Sequence, residues 1–169
     1  RWWFDSNYVD VEHSTPAIDV EGIGVFINSS IFEGINGGAV RATEQSEMLI
    51  QSTVFRGNYA KVGGAIMVQN SQLRIDVCAL VANFALQTLE AQTATQDSGS
   101  GGALYASGGN LSVVSSSFAY NGIYVVHNPQ SQVVSGGSAL RLLLVRDGWL
   151  IKDTSFLPFE PFDTIMSTS

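Results

Sequence analysis

Alternation of apolar and polar positions runs through the chain as one short pattern repeated. Val25/Ile27, Met48/Ile50, Leu73/Ile75, Leu111/Val113 and Trp149/Ile151 are apolar residues two apart, and each pair is followed after five residues by Phe32, Phe55, Leu80, Phe118 or Phe156. Period-two runs of this length, closed by small polar residues, predict short strands joined by tight turns. No segment carries a helical period, so no helix is expected. Aligned on the Phe/Leu anchor, further columns emerge. Two residues upstream lie Ser30, Thr53, Cys78, Ser116 and Thr154, and five downstream lie Ala60, Ala85 and Ile123. Phe4 fits as a leading anchor, with Asn7 and Val9 in the matching columns, and Phe156 as a trailing one. The anchors Phe4, Phe32, Phe55, Leu80, Phe118 and Phe156 are spaced 28, 23, 25, 38 and 38 residues apart.

Two motifs punctuate each unit. Asparagine follows the anchor by three residues at Asn58, Asn83 and Asn121; Asn36 reads as the same residue after one extra position, and Phe159 replaces it after Phe156. Gly-Gly-Ala-aliphatic occurs at Gly37–Val40, Gly63–Ile66 and Gly101–Leu104, with the variant Gly136–Leu140. A unit of about 23–25 residues with several short strands suits one rung of a parallel β-helix, in which every column stacks on itself. The Gly pair suits a turn where a side chain would collide or where φ must be positive. The Asn suits an inward amide ladder that tolerates left-handed backbone. Each stacked Phe or Leu anchor would contribute roughly 1.5–3 kcal/mol on burial. The longer spacings place insertions in one region of the unit, as loops over 86–100 and 122–135, where repeat proteins often carry their binding face.

Composition then narrows the class. The chain has 169 residues, 45% hydrophobic and only 14% charged, with 17 Gly. Disorder is excluded by the apolar content. A net charge of −7 argues against nucleic acid and against an anionic membrane surface. One cysteine excludes a disulfide framework, and no apolar run reaches the roughly 20 residues that span a bilayer. Arg1 falls three residues before the first anchor, in mid-unit, and Pro158 and Pro161 cannot donate to a ladder. The chain therefore reads as a single segment, 1–169, of a longer polypeptide.

Gly-Gly-Ala-Ile/Leu/Val alternating with Phe-x-x-Asn resembles the repeat of the polymorphic outer-membrane protein family, over roughly Phe4 to Phe156. The resemblance implies a right-handed parallel β-helix, here of about five to six rungs, on a large extracellular or cell-surface protein. It implies a structural or adhesive role, as in a surface fibre or flagellar appendage, with other segments or copies of a long surface protein, or glycans, as partners.

The alternative is a carbohydrate-binding or polysaccharide-cleaving β-helix. Glycosidase chemistry needs two carboxylates about 5–10 Å apart. Glu47, Asp76 and Asp153 fall in different columns, and Asp76 shares its column with Lys152, so no catalytic residue is assigned and no enzyme is expected. His13 and His127 lack ligand-spaced neighbours. Ser98–Gly102 lacks both the Asp of calcium-binding repeats and the strand–turn–helix setting of a phosphate loop, so no metal or cofactor is expected. Cys78, in the Ser/Thr column, reads as an inert buried thiol. Asn28-Ser29-Ser30 and Asn110-Leu111-Ser112 are sequons, and alternation turns both asparagines outward, making Asn28 and Asn110 candidate N-glycosylation acceptors. One outward column is unusually apolar: Phe26, Leu49, Arg74, Ser112 and Leu150. Phe26, Leu49 and Leu150 form a candidate lateral interface, unless a local register shift turns them inward.

Overall fold

The computed structural model describes residues 15–88, 101–128, 131–135, 140–143 and 149–157. None of these is helical. The strands fall into successive copies of one unit. The first copy holds β1 (Ile18–Glu21), β2 (Gly24–Asn28) and β3 (Ile31–Glu33). The second holds β4 (Val40–Thr43), β5 (Glu47–Gln51), β6 (Val54–Arg56) and β7 (Tyr59–Ala60). The third holds β8 (Ile66–Asp76), β9 (Ala79–Val81) and β10 (Phe84–Thr88). The fourth holds β11 (Leu104–Val114), β12 (Ser117–Ala119), β13 (Gly122–Asn128) and β14 (Ser131–Ser135), and the fifth β15 (Leu140–Leu143), β16 (Trp149–Lys152) and β17 (Ser155–Leu157).

Equivalent strands pair side by side in three sheets, of eight, five and four strands. All pairings are parallel except β13 with β14. The fold is thus all-β, built of stacked parallel sheets.

Register follows the sequence columns position by position. In the five-stranded sheet Phe32 pairs Phe55, Phe55 pairs Leu80, Leu80 pairs Phe118, and Phe118 pairs Phe156. In the large sheet Ile27, Ile50, Ile75, Val113 and Ile151 are successive partners, as are Val40, Ile66, Leu104 and Leu140 at the end of each Gly-Gly motif. These columns are the core: Phe55, Leu80, Phe118, Ile50, Ile75 and Val113 are fully buried. Ring stacking reinforces the anchor column, with Phe32 on Phe55 at 5.1 Å and Phe118 on Phe156 at 5.0 Å between centroids.

Polar columns line the corners. Asn58 donates from Nδ2 to Asn83 Oδ1 at 2.8 Å, and Asn83 donates to Asn121 Oδ1 at 2.9 Å. The backbone N–H of each preceding asparagine donates to the same acceptor. Asn36 does not join this ladder. Ile35 occupies the equivalent position and donates its N–H to Asn58 Oδ1, while Asn36 pairs with Tyr59, one step on. No residue is inserted after Phe32; the first copy carries an apolar side chain where the others carry an amide.

The asparagines are also not the left-handed residues. Positive φ falls one position earlier, at Gly34, Gly57, Ala82 and Tyr120, because the chain must reverse before the amide can point inward. A second left-handed column lies three residues before each anchor: Ser29, Ser52, Val77, Ser115 and Asp153, with φ between 47° and 53°. Next to it, Ser30, Thr53, Cys78, Ser116 and Thr154 each donate a side-chain hydrogen bond to the carbonyl two residues back.

Val77 is the misfit of its column, a β-branched residue in left-handed backbone with a side chain that is 59% exposed. Val77→Asn is expected to raise stability by about 1 kcal/mol and the thermal midpoint by roughly 2–4 °C, since asparagine tolerates this conformation. A melt followed by circular dichroism checks this; an unchanged or lowered midpoint would mean that Val77 is not strained.

The segments read as insertions begin as strand. Gly122–Asn128 pairs in parallel with Phe84–Thr88, and Ser131–Ser135 returns antiparallel along it. Gly122–Asn128 and Ser131–Ser135 are therefore strands that extend the small sheet. The leading copy at Phe4, Asn7 and Val9, residues 89–100, His13, Gly136–Ala139 and Phe159 lie outside the described residues.

Candidate functional site

The outward positions of β2, β5, β8, β11 and β16 are where a partner could be met, since the alternate positions are spent on the core. Phe26 pairs Leu49, Leu49 pairs Arg74, Arg74 pairs Ser112, and Ser112 pairs Leu150. The pairing runs in frame through Val25, Phe26 and Ile27, so no register shift turns Phe26 inward. Phe26 is 59% exposed and Leu150 52%, while Leu49 is half-buried. The column is not one apolar stripe. Arg74 and Ser112 separate Leu49 from Leu150 by three strand spacings, about 14 Å. The apolar residues are thus split, Phe26 with Leu49 at one end of the column and the exposed Leu150 at the other.

The two sequons differ in setting. Asn28 ends β2 with an exposed side chain, and the next residue, Ser29, is left-handed. Ser29 Oγ donates to Asn28 Oδ1 at 3.2 Å, and Ser30 Oγ donates to the Asn28 carbonyl at 2.9 Å. Asn110 lies inside β11, opposite Gln72. Its side chain is half-buried, and its Oδ1 is enclosed with no hydrogen-bond partner among the described residues. Asn110, Gln72, Glu47, Arg74 and Leu49 line a shallow hollow on this outer face.

The acidic residues stay apart, as their columns require. Glu47 pairs Gln72, whereas Asp76 sits between Gln51 and Val114, with Lys152 one strand further on. Asp76 Oδ2 accepts from Arg74 Nε at 2.8 Å; its Oδ1 is buried without a partner among the described residues. Asp153 occupies the left-handed corner. Asp19 is bound by the Arg41 guanidinium on the neighbouring strand, and that hydrogen bond holds its carboxyl below the usual range. Among the described residues no cluster of three His, Cys, Asp or Glu could hold a metal ion. No helix among the described residues is long and apolar enough to cross a membrane.

Cys78 is buried, its backbone N–H donating to Ser116 Oγ and its thiol to the Asp76 carbonyl. Desolvation by burial pushes the thiol up from its ordinary value, which disfavours the reactive thiolate.

One polar ladder was missed in the sequence. Gly22 N–H donates to Ser46 Oγ and Ser46 N–H to Ser71 Oγ, both serines fully buried at the corner between the halves of the large sheet. The signal was present, since Ser46 and Ser71 each precede their anchors by nine residues, but only two copies carry it.

No family model matches the chain, and no curated protein and no solved structure matches it.

Proposed function

We propose that the stacked parallel sheets wind as a right-handed parallel β-helix of about five to six rungs, and that the chain is a structural or adhesive segment of a large extracellular or cell-surface repeat protein of the polymorphic outer-membrane type. The observation that carries this reading is the direction in which the repeat spends its polar side chains. Asn58, Asn83 and Asn121, Ser46 and Ser71, and Ser116 of the small-residue column each accept a backbone N–H from the preceding copy. Side chains recurring at fixed offsets therefore serve cohesion between copies, the property that a load-bearing or display rod requires. Outward residues vary from copy to copy, as in the Phe26, Leu49, Arg74, Ser112 and Leu150 column, which suits lateral contact with other segments of a surface assembly.

An antibody raised against the chain is expected to stain intact, unpermeabilised cells of the source organism. Staining confined to permeabilised cells would remove the surface reading. Release of reducing ends from an acidic polysaccharide by the purified chain, abolished by Asp76→Asn or Asp153→Asn, would replace the structural role with an enzymatic one.

A further inference from the structure

We propose that Asn28 carries an N-linked glycan whose first N-acetylglucosamine lies against Phe26, and that the second sequon, at Asn110, stays bare. The proposal rests on the extracellular reading and names what covers the apolar patch at this end of the sheet.

Phe26 and Asn28 are two residues apart on one strand, so both side chains leave the same face, about 6.6–7 Å from each other. Ile27 between them is buried, which fixes that face as the outer one. Both residues also line a concavity at the edge of the first copy, which Ile18, Ile27, Ile31 and Phe32 share. A pyranose attached to Asn28 Nδ2 has one face made of C–H groups, and that face matches an exposed aromatic ring two residues back. Phe26, 59% exposed beside a polar turn, thereby gains an apolar neighbour of suitable size. The side-chain amide is open to solvent: Asn28 is exposed, and among the described residues its Oδ1 accepts from the adjacent Ser29 hydroxyl. Transfer from a lipid-diphosphate-linked oligosaccharide breaks the anomeric C–O bond and forms C–N at Nδ2, and the displaced Nδ2 proton ends on the released lipid diphosphate.

Asn110 meets the opposite conditions. It is internal to an eleven-residue strand, opposite Gln72 in the sheet, with its Oδ1 enclosed. A glycan there would have to pull the amide out of the sheet surface.

The test is the full chain secreted from yeast and trimmed enzymatically to one N-acetylglucosamine. Peptide mass mapping is expected to find the sugar on Asn28 and none on Asn110. The trimmed protein should melt roughly 2–4 °C above Asn28→Gln. In the Phe26→Ala background that difference should vanish; Phe26 is exposed, so this variant keeps its core. A secreted chain bare at Asn28, a sugar on Asn110, or an equal increment without Phe26 would overturn the proposal. The surface reading fails by a different result, staining of permeabilised cells alone, so the two failures are distinguishable.

Discussion

Gly102→Ala is expected to lose about 3 kcal/mol or more. A Cβ at this position would lie 2.5 Å from both the N and the O of Gly122 and 2.8 Å from its Cα. All three are backbone atoms of a strand held on its other flank by β14, so they cannot swing aside as a side chain could. Gly64 meets the same obstacle in the preceding copy, 2.2 Å from Gly102 O and 2.6 Å from Phe84 N. In these two copies the second glycine is therefore a point of backbone contact between two corners of the unit and needs no left-handed freedom, whereas Gly38, the second glycine of the first motif, has φ 87° and meets nothing closer than Ala60 Cβ at 3.4 Å. Gly24→Ala is the control. Its Cβ would meet only Glu47 O at 3.9 Å, an ordinary contact, and the variant should unfold within about 0.5 kcal/mol of the parent. Urea unfolding of the two variants measures the difference. If Gly102→Ala unfolds with the parent, or Gly24→Ala falls as far, close approach is not what the glycine pair provides.

Asn83→Ala is expected to cost about 3–5 kcal/mol, more than the same change at either neighbouring asparagine. The Asn83 side chain accepts from the Asn58 N–H and from Asn58 Nδ2, and donates to Phe55 O and Asn121 Oδ1. Alanine leaves these four groups without their partner in a region where Asn58, Asn83 and Asn121 are almost wholly buried. Asn121 makes three such bonds, accepting from Asn83 N–H and Nδ2 and donating to Leu80 O, and Asn58 likewise makes three. The order of loss should be Asn83 first, then the other two. Because the amides form one chain, Asn83→Ala/Asn121→Ala should cost less than the two single losses added together. Equilibrium unfolding of the three variants checks both statements; strict additivity would mean that the amides act independently.

Much of the register was legible in the residues. Phe32, Phe55, Leu80, Phe118 and Phe156 are successive partners in one sheet, and Val25, Met48, Leu73, Leu111 and Trp149 in another, as the offset alignment placed them. The reason is physical. A parallel strand that slips by one residue turns its apolar set to solvent, so a period-two pattern repeated against a common anchor admits a single register. The glycine pair was legible for a similar reason, as the residue type with no Cβ to collide.

Other features were not legible. Asn36 looked like a displaced member of the amide column, yet the position belongs to Ile35, because the number of residues to the corner is set by the backbone and not by residue type. The left-handed positions were missed at Ala82, Tyr120 and Val77, residues that carry no turn signal of their own. They take the conformation that the copies on either side impose. For the candidate surface site, the outward column could be read from alternation, but its split required knowing that Arg74 and Ser112 lie between Leu49 and Leu150. The difference between the sequons was equally invisible, since Asn28 and Asn110 carry the same three-residue signature.

By itself the sequence determined which residues stack on which, because that depends only on offsets along the chain and on the cost of exposing apolar side chains. The tertiary structure alone decided how each polar group is satisfied. An amide at Asn83 is a stabilising link or an orphan according to what lies one strand spacing away, and that neighbour comes from another copy, 25 or 38 residues distant in the chain.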